Sequence, residues 1–98
     1  MAVAEVSVVP VGTGNASISD YVARAFKIVR ASGLKYELSS MSTNLEGDVP
    51  KILDVVREIH ESAFEQGAVR VLTSLKIDDR RDKPLTMEGK RAAVMKKA

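Results

Sequence analysis

The residues best suited to chemistry lie close together between Tyr36 and Asp48, in the run Y-E-L-S-S-M-S-T-N-L-E-G-D. In an extended chain successive side chains point to opposite faces, so Glu37, Ser39 and Met41 line one face while Tyr36 and Leu38 line the other. Thr43 and Glu46 follow within five residues. Carboxylates accept hydrogen bonds, hydroxyls donate and accept, and a thioether offers an adaptable apolar wall. This is a set for holding a small polar molecule. It is expected to form a central hairpin that supplies a ligand-facing wall.

Other chemistries find less support. The chain has no cysteine, which excludes disulfides, thiolate metal sites and cysteine nucleophiles together. Its one histidine excludes a multi-histidine metal site within one chain. That residue, His60, borders an apolar helical stripe and reads as a half-buried packing residue rather than a catalyst. Gly12-Thr13-Gly14-Asn15 lacks the Lys-Ser/Thr of a phosphate loop and the third glycine of a dinucleotide fingerprint, so it reads as a βα turn. Val11–Ala16 holds Asn15 but no arginine, which argues against an acylphosphatase. No enzymatic activity, metal or obligatory cofactor is expected.

Seven elements must position this wall. Val3–Val11 alternates with β-branched residues, Ala4, Val6 and Val8 on one face and Glu5, Ser7 and Val9 on the other, as a strand does. Ser17-Ile-Ser-Asp20 has the spacing of a helix cap. Ile18, Val22, Ala25 and Val29 then form a helical stripe, with Gly33 as its stop. Lys35–Met41 and Thr43–Glu46 make two strands joined by a tight turn near Met41–Ser42. Asp48 is placed as an N-cap for a second helix, with Pro50 in its first turn. That helix carries Ile52, Val55, Val56, Ile59 and Ala63 as its stripe and ends at Gly67. Val69–Ile77 is a fourth strand, with Val71, Thr73, Leu75 and Ile77 on one face and Arg70, Leu72, Ser74, Lys76 and Asp78 on the other. From Pro84 a third helix is expected, with Met87, Val94 and either Leu85 or Arg91 inward. Gly89 weakens it, so its helicity depends on docking.

The order β-α-β-β-α-β-α predicts an α+β, ferredoxin-like sandwich with an extra C-terminal helix and a four-stranded antiparallel sheet. Both main helices then cover one sheet face. The other face would carry Glu5, Ser7, Val9, Glu37, Ser39, Leu72, Ser74 and Lys76, a half-apolar surface suited to an oligomer interface containing a polar pocket. That face has no aromatic ring on which bases could stack, so no nucleic-acid partner is expected. Ninety-eight residues with a net charge of +2, 45% hydrophobic and 29% charged, read as one soluble cytoplasmic domain spanning 1–98. The late basic residues read as a solvated helix face. No run is long enough to span a membrane, and Met1–Pro10 lacks a basic start and a cleavage site.

Three stretches also carry a resemblance. V-V-P-V-G near the start, Y-E-L-S-S-M-S-T-N-L-E-G in the middle and S-L-K-I-D-D-R-R-D near the end resemble the YkoF-like thiamine-binding protein family. The resemblance implies a ferredoxin-like subunit that associates through its sheet into dimers and tetramers. It also implies non-catalytic binding of thiamine or its hydroxymethylpyrimidine half. Family members with two tandem copies of the fold carry the thiamine role, so in this single-copy chain the pocket would lie between subunits.

For such a ligand, Glu37 or Glu46 would accept from the exocyclic amine or oppose the cationic ring. Ser39 and Thr43 would serve the ring nitrogens, with Ser7 beside them. Met41 would form an apolar wall, and Lys76 and Arg80 would hold a phosphate tail, Arg being the better bidentate partner. The competing reading makes Glu37 and Lys76 a cross-subunit ion pair and Asp78–Arg81 a salt-bridged loop edge. An ACT-like regulatory or structural oligomerisation module, binding another metabolite or a protein partner through the same sheet, is the alternative function.

Overall fold

A computed structural model describes residues 1–98. Its elements are β1 (Ala2–Pro10), α1 (Ser19–Ala31), β2 (Lys35–Leu38), β3 (Thr43–Gly47), α2 (Val49–Glu65), β4 (Val71–Asp79) and α3 (Met87–Met95). The four strands form one antiparallel sheet in the order β2-β3-β1-β4. This is the expected α+β, ferredoxin-like arrangement with an added helix.

Alternation places the core on one side of the sheet. Tyr36, Leu45, Ala4 and Ile77 are register partners across the four strands, as are Leu38, Thr43, Val6 and Leu75. Partners in a ladder point to the same face, so these two rows look towards α1 and α2. Ala2, Ala4, Val6 and Leu45 are buried there against Val29 of α1 and against Ile52, Val55, Val56 and Ile59 of α2. Helices α1 and α2 are each stopped by a glycine with positive φ, Gly33 at 80° and Gly67 at 100°, where a side chain would be strained.

Several local expectations shift. Strand β2 stops at Leu38 rather than Met41. The Ser39 amide donates to the Ser42 carbonyl at 2.9 Å, in continuation of the β2–β3 register, and the Ser39 hydroxyl donates to the same oxygen at 2.8 Å, so the hairpin closes at this pair. The connection within the Ser39–Ser42 loop is a tight turn as expected, with Ser40 and Met41 at its tip, one residue earlier than Met41–Ser42. Strand β4 begins at Val71 and runs to Asp79, two residues later at each end than expected. The cap expected at Ser17-Ile-Ser-Asp20 does not form. Asn15 Oδ1 accepts from the Ser17 amide at 3.0 Å, and α1 starts only at Ser19 with no side-chain cap. Asp48 occupies the N-cap position of α2 but also makes no side-chain cap bond.

The sheet face opposite α1 and α2 is not wholly open, because α3 is docked on it. The buried Glu46 carboxylate accepts from the Met87 amide at 2.7 Å, Arg91 pairs with Glu37, and Lys90 Nζ lies 2.6 Å from Asp78. A carboxylate at a helix N-terminus satisfies an otherwise unpaired donor and complements the helix dipole. The Thr86 hydroxyl adds a cap by accepting from the Gly89 amide at 2.9 Å. A Cβ on Gly89 would sit 2.9 Å from that hydroxyl, so the glycine expected to weaken the helix also makes room for its cap. Met87 is buried as expected, whereas Val94 points to solvent, since the short helix touches the sheet only through its first turns and its basic side chains.

Candidate functional site

The structure divides the eight residues expected at the site into two groups. Ser7, Ser39, Met41 and Thr43 line a cleft of about 340 Å³ between α1 and the end of the sheet. Its volume lies within the range of small-molecule sites, roughly 300–1,000 Å³. Glu37, Glu46, Lys76 and Arg80 lie outside it.

Each wall of the cleft follows from local structure. Strand β3 begins at Thr43, paired with Val6, so β1 continues alone on that side through Ser7, Val8 and Val9. The Ser39–Ser42 loop bends away at this point and leaves a gap beside β1. Ile18, Val22, Ala25 and Val29, the helical stripe of α1, close the gap from above, with Leu38 and Ile59 completing the apolar lining. Ten of the fifteen lining residues are hydrophobic, and every polar one is a serine or threonine. Thr43 faces the helices, in register with Val6 and Leu75, so it belongs to the cleft and not to the opposite sheet face.

The cleft also has one carboxylate connected to it. Ser42 Oγ donates to Glu5 Oε2 at 3.1 Å and lies 3.3 Å from Ser39 Oγ. Glu5 sits in the transverse row Glu37–Asn44–Glu5–Lys76 on the face carrying α3. Residue-type reasoning placed Glu5 on that face but did not link it to the site. The link runs through a loop whose path depends on where β2 ends. The α1 wall was legible only as core, because the same stripe serves both purposes.

The other four residues have partners or positions of their own. Glu37 pairs with Arg91 within the chain. Glu46 is buried under α3. Arg80 holds Asp82 through two contacts of 2.5 and 2.9 Å, and Arg81 holds Asp79 at 2.9 Å. These hydrogen bonds hold the Asp79 and Asp82 carboxyls below the ordinary carboxylate range and raise both guanidiniums. The loop is thus a salt-bridged edge. Lys76 stays exposed on the sheet face and enters none of the ion pairs.

His60 behaves as a packing residue. Its Nδ1 is 2.7 Å from Thr73 Oγ1, tying α2 to β4, and its ring meets Phe64 edge-on. Tyr36 likewise packs edge-on against Phe26, with centroids 5.4 Å apart, and so offers no exposed ring on the opposite sheet face. No group of three or more metal-ligating side chains occurs, and no helix is long and apolar enough to cross a membrane.

The cleft's apolar walls and hydroxyl fringe fit a ring-containing ligand, and the wider comparison points the same way. The profile of a family described as thiamine-binding protein matches residues 4–95. This chain belongs to the thiamine-binding protein family. It is 44% identical over 100 residues to the UPF0045 protein YqgV of Bacillus subtilis, covering 98% of this chain and 96% of that one. It is 40% identical to a UPF0045 protein of Methanothermobacter thermautotrophicus, covering 99% of both.

Among solved structures, a hypothetical protein of Methanocaldococcus jannaschii superposes with a TM-score of 0.89 at 42% identity, covering 96% of this chain and 95% of that one. A candidate thiamine biosynthesis/salvage protein of Thermotoga maritima superposes with a TM-score of 0.78 at 30% identity, over 95% and 97% of the two chains. The resemblance seen in the three sequence stretches therefore extends over nearly the whole chain.

Proposed function

We propose that this protein binds thiamine or a related hydroxymethylpyrimidine, or a thiamine phosphate, without transforming it. The observation that carries the reading is the 340 Å³ cleft, apolar on its walls and fringed only by hydroxyls, in a chain of the thiamine-binding family. Such a lining suits a flat, neutral heterocycle, which gains from apolar burial and needs a few oriented hydrogen bonds.

The aminopyrimidine is assigned to the cleft, between Val22 and Leu38 on one side and Ser7, Ser39 and Thr43 on the other. Glu5, held by Ser42 at the rim, opposes the positive charge of a thiazolium. Lys76 is the cation left to meet a phosphate tail, since Arg80 is already engaged by Asp82. A second copy of the chain is assigned to the sheet face beyond α3, where Val9 and Leu72 are exposed. Those two residues also favour a second reading, a purely structural or regulatory oligomerisation module.

Calorimetric titration of the full chain with thiamine, its phosphates and hydroxymethylpyrimidine tests the proposal. Saturable heat with one or more of them is expected. Silence up to about one millimolar, near −4 kcal/mol, would leave the structural reading standing instead.

A further inference from the structure

The cleft contains a recognition element that is not a side chain. The β1–β4 ladder runs from Ala2↔Asp79 to Pro10↔Val71, but the β1–β3 ladder stops at Val6↔Thr43. Ser7–Pro10 therefore has a strand on one edge only. In an antiparallel ladder the N–H and C=O of one residue point to the same edge, and successive residues point to opposite edges.

The Val11 amide donates to the Arg70 carbonyl at 2.8 Å, which fixes the odd-numbered residues of β1 towards β4. Val6 and Val8 consequently face the other way. Val6 meets Thr43, and the register would set Met41 opposite Val8. The Ser39–Ser42 loop has left the sheet by then. Pro10 has no N–H. Val8 is thus the one residue of this stretch whose main-chain donor and acceptor both point at the vacated edge. It also lines the cleft, between Ser7 and Val9.

Backbone polar groups in an apolar setting almost always find partners. We propose that the Val8 main chain reads the edge of the bound heterocycle. The ring presents an amino donor next to a ring-nitrogen acceptor and docks in place of the missing β3 residue. Val8 N–H donates to the ring nitrogen, and Val8 C=O accepts from the amino group. The ligand class is accordingly a planar amino-substituted azine, with an amidine-like edge complementary to the N–H and C=O of one extended residue. This deepens the binding function proposed above and rests on it. It assigns the discrimination among ring substituents to the backbone, leaving Ser39 and Thr43 to orient the ring.

The test compares 4-amino-5-hydroxymethyl-2-methylpyrimidine with its 4-oxo counterpart on the full chain, while the Val8 amide is followed by ¹⁵N–¹H spectroscopy and hydrogen exchange. The amino compound is expected to bind, to move the Val8 amide proton downfield and to slow its exchange. The oxo compound sets an oxygen against the Val8 carbonyl and is expected to bind at least about tenfold more weakly.

Val8→Pro deletes a donor that no strand uses and follows an extended Ser7. It is expected to keep a dispersed native spectrum and to lose at least about tenfold in affinity. If that variant does not fold, the Val8 amide of the unmodified chain decides. Equal binding of the two compounds with the Val8 amide unmoved would overturn this assignment while leaving the ligand reading intact. Binding of neither would overturn both.

Discussion

The two ends of the sheet treat their polar groups in opposite ways. At the end under α3, almost every charge has a partner in the same chain. Glu46 takes the Met87 amide, Glu37 takes Arg91, Asp78 takes Lys90, and Arg80 and Arg81 take Asp82 and Asp79. At the other end β3 runs out, and the cleft is left with hydroxyls, apolar walls and an unpaired main-chain edge. A polar group already satisfied within the fold has little to offer a ligand, because binding would first break a hydrogen bond. The charged end is therefore architecture, and the sparsely polar end is where recognition is expected. Charge density alone would point to the other end.

The sharpest way to break this contrast is to disturb each end separately. Glu46→Ala leaves the Met87 amide at the start of α3 without its buried acceptor, and should destabilise the chain by about 1–3 kcal/mol in denaturant titration. Ligand affinity should change little, since the cleft is at the far end. Val22→Lys should do the reverse. Val22 is 40% exposed on the cleft wall, so the fold should tolerate the change. A cation there should cost at least about tenfold in thiamine affinity, or about 1.4 kcal/mol, measured by calorimetry. Should Glu46→Ala abolish binding and Val22→Lys spare it, the assignment of the two ends would be reversed.

Smaller effects sharpen the division. Thr73→Val removes the 2.7 Å contact with His60 Nδ1 in the half-buried layer between α2 and β4. It should cost about 0.5–1.5 kcal/mol of stability and leave binding unchanged, as expected of a packing histidine.

The smallest effect belongs to the salt-bridged loop from Asp79 to Asp82. Its aspartates have folded-state pKa values below the ordinary 3.8, so their contribution is complete above that value and fades as pH falls through the lowered one. Both are solvent-screened. Asp82→Asn should therefore leave the melting temperature near neutrality almost unchanged, and any difference from the unmodified chain should vanish further in acid.

Much of the architecture was legible in the residues. Period-two runs at Val3–Val11 and Val69–Ile77 and the stripes beginning at Ile18 and Ile52 gave the element order and the buried face, because burial on one face enforces periodicity. Loop path and docking were less visible. Strand β2 reads as continuing to Met41, but the hairpin closes at Ser39–Ser42 and turns at Ser40–Met41, and β1 is left without a neighbour beyond Val6, where the cleft lies. Thr43 faces the helices because side-chain direction depends on register, which a loop one residue longer or shorter would have inverted.

The covering of Glu37 and Glu46 by α3 depended on tertiary contacts of a helix with few apolar residues. Its Thr86 cap, three residues before Gly89, was the available signal. Ser7, Ser39, Met41 and Thr43 converge on the cleft, whereas Glu37 and Glu46 are answered by α3 and Arg80 by Asp82, and Lys76 alone of the charged candidates enters no ion pair.

The proposed function places binding at the β1-edge cleft and not at the charged face. Mapping ¹⁵N–¹H shift changes on the full chain during titration with hydroxymethylpyrimidine tests this central claim most directly. Changes concentrated at Ser7–Val9, Val22 and Leu38–Thr43 are expected, with Glu37, Lys76, Arg80 and the α3 amides nearly still. Changes centred on α3 and the Asp79–Asp82 loop, with the cleft residues silent, would contradict it.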